Sequence, residues 1–68
     1  MLKISLKAAR TNAGFSQKEA AKRLQISNNT LCRWEKGTAF PDVCQIDQLC
    51  NLYGVSYDNL NFLPNNSL

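Results

Sequence analysis

Apolar residues recur along this chain at helical intervals and are interrupted by glycine, proline and short polar turns. The first stretch runs from about Ile4 to Ala13, with Leu6, Ala9 and Ala13 at one helical spacing and Gly14 placed to end it. Ser16-Gln17-Lys18-Glu19 then reads as a capping box. The serine oxygen accepts an amide proton at the third helical residue and the glutamate reaches back to the cap. A second helix is therefore predicted from Ser16 to about Leu24, with Ala20, Ala21 and Leu24 sharing a face. Its small residues allow a neighbouring helix to approach closely.

Only Gln25, Ile26 and Ser27 separate this helix from a third, predicted over Asn28 to Lys36, capped by Ser27 and stopped by Gly37. A connection that short forces a sharp crossing, the arrangement that presents a helix to a DNA groove. Beyond Pro41, Asp42-Val43-Cys44-Gln45 repeats the capping-box logic. It opens a fourth helix to about Tyr53, with Val43, Ile46, Leu49, Cys50 and Tyr53 as its apolar stripe and Gly54 at its end. Ser56 is placed to cap a short fifth helix through Leu60 and on toward Phe62. The pattern predicts an all-α fold of five short helices with no strand. It is a single domain over 1–68, with a folded core about 4–63 and a frayed tail over 64–68.

At 68 residues the chain buries only roughly 60% of its unfolded surface, leaving a thin core and no room for a substrate domain. No histidine is present, so the commonest general base and metal ligand are missing, and neither a phosphate loop nor a paired-carboxylate motif appears. The expectation is a non-enzyme without cofactor or metal. Cys32, Cys44 and Cys50 are odd in number and lack zinc-ligand spacing, which suits a reducing cytoplasm. Apolar runs are too short for a membrane span or a signal peptide.

Charge divides the chain in two. All eight basic residues lie in 1–36 against Glu19 and Glu35, giving +6, whereas 37–68 hold only Asp42, Asp47 and Asp58, giving −3. A basic half joined to an acidic one suits a domain that turns one face to a polyanion, although solvated helix faces produce the same imbalance.

On the third helix, Leu31 and Trp34 fall on one side, and Asn28, Asn29, Cys32, Arg33 and Lys36 on the other. Asparagine pairs bidentately with the adenine edge and arginine with guanine, so the polar side carries two side-chain types suited to the major groove. Asn28 and Asn29 occupy the first turn, the part nearest the bases when a helix enters end-on. The competing explanation is that they serve the helix cap. Cys32 suits either contact with a thymine methyl or close packing.

Taken together, Leu6-Lys7-Ala8-Ala9-Arg10, Gly14-Phe15-Ser16-Gln17-Lys18-Glu19-Ala20-Ala21, Leu24, Ile26-Ser27, Leu31 and Trp34-Glu35-Lys36-Gly37 form a familiar pattern. With Pro41, Leu49, Gly54-Val55-Ser56 and Asp58-Asn59-Leu60, they resemble the phage repressor and Cro type of helix-turn-helix domain, the lambda-repressor-like or XRE family. The resemblance implies a compact five-helix domain whose helices two and three form the helix-turn-helix. It implies that Asn28, Asn29, Cys32 and Arg33 face base edges, that Gln17, Ser27, Lys36 and Thr38 meet phosphates, and that Arg10 pairs with Glu35. A glycine is usual in the family's turn where this sequence has Gln25, and the acidic half carries no basic side chain for additional DNA contacts.

The resemblance further implies a transcriptional regulator, a repressor by occupancy, that binds double-stranded DNA as a homodimer on a near-palindromic operator. Tyr57, Leu60, Phe62 and Leu63 crowd apolar residues near the C-terminus and are the candidates for self-association, the competing explanation being that Leu60 and Leu63 complete the core of a protein that is monomeric without DNA. The alternative is a protein-interaction module on the same fold, an antitoxin-like or antirepressor partner working through that apolar end.

Overall fold

The structure is a computed structural model and describes residues 3–62. It contains α1 (Leu6–Asn12), α2 (Gln17–Leu24), α3 (Asn28–Lys36) and α4 (Val43–Tyr53), then a 3-10 turn at Tyr57–Asn59. Two short strands, β1 (Ile4–Ser5) and β2 (Leu60–Asn61), pair in parallel, with Ile4 opposite Leu60 and Ser5 opposite Asn61. The tail over 64–68, and Leu63 before it, lie outside the described residues.

Two expectations are corrected here. Among the described residues the fold has four α-helices rather than five, and it does contain a strand pair. Ser56 makes no side-chain cap bond, and Leu60 is already extended at φ −96° and ψ 136°. The backbone after the turn finds its partners in β1 instead of in a helical turn. Helix α1 likewise begins at Leu6, two residues later than expected, because the Ser5 hydroxyl caps it by accepting from Ala8 N–H at 3.0 Å.

Leu6, Ala9, Ala20, Ala21, Leu24, Leu31, Trp34, Leu49, Tyr53 and Leu60 make up the buried core. Ala20 and Ala21 are almost wholly enclosed, and their small size lets α3 lie close across α2. In α4 the buried positions are Leu49 and Tyr53, whereas Val43 is 82% exposed and Ile46 and Cys50 are half-buried. The wider apolar stripe expected for α4 is thus narrower in fact. Six residues at about 100° each put Val43 about 120° round the axis from Leu49, off the core side.

The α2–α3 turn is closed from within. Gln25 takes the left-handed conformation, φ 60° and ψ 42°, while Ile26 N–H reaches back to the Ala21 carbonyl at 3.0 Å and its side chain packs on the core. Gly37 ends α3 in the same manner at φ 80°. The non-glycine turn keeps the backbone shape that a glycine adopts without steric cost.

Candidate nucleic-acid interface

A helix able to read a groove needs one side anchored and the other free. Leu31 and Trp34 are buried, while Asn28, Asn29, Arg33 and Lys36 are exposed. Ser27 performs the capping, its Oγ accepting from Thr30 N–H at 3.0 Å, so the two asparagines are not needed for that task. Cys32 lies on the same side but is half-buried.

Residues expected at phosphates fall into two groups. Lys36 is exposed. Ser27 Oγ also bonds Thr30 Oγ1 at 2.8 Å, and Thr38 Oγ1 donates to the Arg33 carbonyl at 3.3 Å, so both hydroxyls help to close helix ends. Gln17 Nε2 donates to Glu35 Oε1 at 3.0 Å, which turns its amide toward α3.

Beneath this face lies an ion pair. Arg10 Nε meets Glu35 Oε2 at 2.7 Å, with the side chains 10% and 6% exposed. Arg10 Nη1 also donates to the Phe15 carbonyl at 2.9 Å, tying α1 to the segment that leads into α2. A cleft of about 430 Å³ opens above the pair, lined by Lys7, Arg10, Gln17, Cys32, Glu35 and Lys36. Lys7 was not among the residues singled out from sequence. It stands three residues before Arg10 on one helix, a spacing that places the two side by side and was readable from the start.

Nearby groups show how the scaffold is held. The Ser16 backbone and hydroxyl both bond Glu19 and lower its carboxyl pKa below the usual 4.5. Burial, followed by the neighbouring Glu35 charge, pushes the Tyr53 phenol up to about 12, with Arg10 opposing.

The described candidates for self-association, Tyr57, Leu60 and Phe62, do not form one surface. Leu60 is only 3% exposed and belongs to the core, because β2 draws it inward against Ile4, so it is corrected from surface to core. Tyr57 is 60% exposed with its ring 6.1 Å from that of Phe62. Sequence reasoning missed the groove of about 420 Å³ beside it, lined by Val43, Ile46, Asp47, Cys50 and Tyr57. Burial, and then the charge of Asp47, raise the Cys50 thiol pKa there.

A helix with one anchored and one open side, crossing a preceding helix after a three-residue turn, is the geometry of a helix-turn-helix, and residues 4–63 match the family described as "Helix-turn-helix domain". The chain belongs to that family. This accords with the resemblance to the phage repressor and Cro type drawn from the residues. Among curated proteins, this helix-turn-helix chain is similar to "HTH-type transcriptional regulator ImmR" of Bacillus subtilis (strain 168). The two are 49% identical over 55 residues, covering 81% of this chain and 43% of that protein. It is also similar to "SPbeta prophage-derived uncharacterized HTH-type transcriptional regulator YonR" of the same organism, at 40% identity over 55 residues, 81% of this chain and 51% of that one. The chain spans about half the length of these relatives. No helix among the described residues is long and apolar enough to cross a membrane.

Proposed function

We propose that this domain is a sequence-specific double-stranded DNA-binding transcriptional regulator of the cytoplasm, a repressor that acts by occupying its operator without catalysis. The observation that carries the reading is the exposure of Asn28, Asn29 and Arg33 on a helix whose other side is locked into the core by Leu31 and Trp34. In this reading α3 enters the major groove, and Asn28, Asn29, Cys32 and Arg33 contact base edges. Lys36 and the hydroxyls of Ser27 and Thr38 meet phosphates. The +6 charge of residues 1–36 supplies attraction that does not depend on sequence. One helix-turn-helix covers one half-site, so the domain acts as a homodimer on a near-palindromic operator, with Tyr57, Phe62 and the neighbouring groove as the apolar surface for self-association.

Titration of an operator selected from a random DNA pool tests this proposal. Arg33→Ala is expected to cost about 1–3 kcal/mol on the operator and to relax choice at one base pair, while Lys36→Ala weakens all duplexes alike. Two chains per operator are expected, and one chain per operator overturns the dimer. Absence of binding at low salt refutes the whole proposal. The protein-interaction alternative draws on one observation, the open groove between Val43 and Tyr57. It becomes the better reading if DNA binding fails while substitutions in that groove still abolish function.

A further inference from the structure

We infer that the groove between α4 and the Tyr57 turn docks a cationic amphipathic segment of a second protein, which sets apolar side chains between Val43 and Tyr57 and a Lys or Arg beside Asp47. The inference rests on the regulator reading above and names the kind of partner that controls it. Val43 is 82% exposed and Tyr57 60% exposed, so two elements each leave a large apolar side chain open on a space of about 420 Å³. Ile46 and Cys50, both half-buried, complete the apolar lining. Burial, followed by the Asp47 charge, raises the Cys50 pKa and holds that thiol neutral. Apolar residues scattered singly over a surface need no explanation, but these share one concave site.

Charge selects the occupant. Asp47 is exposed on the groove, Asp42 adjoins Val43 and Asp58 adjoins Tyr57 in the chain, and residues 37–68 contain no Lys or Arg. DNA, an anionic lipid surface and an acidic peptide are therefore repelled. Two-fold pairing of copies sets the same patch against itself, which brings both Asp47 carboxylates to one interface with no cation from this half of the chain. Apolar contact there works against like charge, so the pair is weak. A segment that matches the apolar lining and brings its own positive charge meets no such opposition. It displaces the second copy, and a regulator that reads its operator as a pair leaves the DNA when the segment binds.

Selection of short peptides from a random pool, with the intact chain as target, tests the inference. Enriched peptides are expected to combine apolar residues with Lys or Arg and to shift the amide resonances of Val43–Cys50 and Tyr57. Asp47→Lys is expected to weaken their binding about tenfold by turning attraction into repulsion, and Val43→Ser about fivefold by removing apolar contact. Both positions are exposed, and circular dichroism checks that both variants stay folded. A saturating peptide is expected to convert paired chains into single ones in sedimentation and to lower operator occupancy. Enrichment of acidic or purely apolar peptides, equal affinity for Asp47→Lys, or no enrichment at all overturns the inference. So does a pair of copies that no peptide displaces, which makes the second copy the occupant. If the chain binds no duplex, the regulator reading is what fails, while peptide binding and its dependence on Asp47 still decide what the groove accepts.

Discussion

Replacing Glu35 with alanine separates what holds this domain together from what lets it read a partner. The substitution removes the acceptor of the 2.7 Å bond from Arg10 and of the 3.0 Å bond from Gln17, leaving an Arg10 side chain that is 10% exposed in the intact protein with the Phe15 carbonyl as its remaining close partner. Breaking one side of a buried pair costs about 3–5 kcal/mol, because the survivor stays desolvated and unpaired. A 68-residue domain has a total stability of about 3–10 kcal/mol at roughly 0.05–0.15 kcal/mol per residue. Glu35→Ala therefore takes away much of the folded margin, and at the low end of that range it abolishes folding at 25 °C. The companion variant Arg10→Met/Glu35→Leu replaces both charges with apolar volume and is expected to be neutral or stabilising. Urea unfolding followed by helical circular dichroism measures both. A loss under about 1 kcal/mol for Glu35→Ala refutes the claim that this pair is desolvated and structural.

Three further outcomes follow from the local geometry. Tyr53 Oη has no hydrogen-bond partner among the described residues, so Tyr53→Phe is expected to cost less than about 1 kcal/mol or to stabilise. With a folded pKa of about 12 against the usual 10, the phenol's contribution to stability is complete below pH 10 and is lost as pH rises toward 12. The variant should flatten that alkaline decline, and an unchanged alkaline limb in its unfolding curve counts against the assignment. Gln25→Gly relieves a left-handed residue at φ 60° and is expected to stabilise by about 1 kcal/mol, raising Tm by about 4–8 °C, whereas a lowered Tm contradicts it. Glu19 has a folded pKa below its usual 4.5, so its cap stabilises above that pH and fades as pH falls through the lowered value. Glu19→Gln should remove that part of the acid dependence, and identical acid limbs argue against it.

Local chemistry made much of this architecture legible in sequence. Ser16 with Glu19 and Asp42 with Gln45 form capping boxes whose partners lie three residues apart, so they signal helix starts without knowledge of the fold. Leu31 and Trp34 define the inner side of α3 for the same reason. The features that escaped depend on distant pairings. Two-residue strands carry no alternation to read, and their bonds join Ile4 to Leu60 across nearly the whole chain, which also explains why Leu60 looked like surface. Gln17 turns toward Glu35 only because α2 and α3 cross, so its side chain could not be oriented from spacing alone. Val43 looked like core because apolar character reports what a residue prefers, while its angle on α4 decides what it receives.

The parallel pairing of Ile4–Ser5 with Leu60–Asn61 makes the molecule a closed circuit. Because the strands run the same way, polypeptide enters this ladder at one end through Ile4 and leaves it at the other through Asn61, so modules joined upstream and downstream hang from opposite ends of one short ladder. Removing Ile4–Ser5, or the chain from Leu60 onward, deprives the other strand of its hydrogen-bonding mate. Conversely, joining residue 61 back to residue 4 takes a crossover of about a dozen residues, and with one in place, opening the ring in an exposed loop should yield a rearranged chain that still folds.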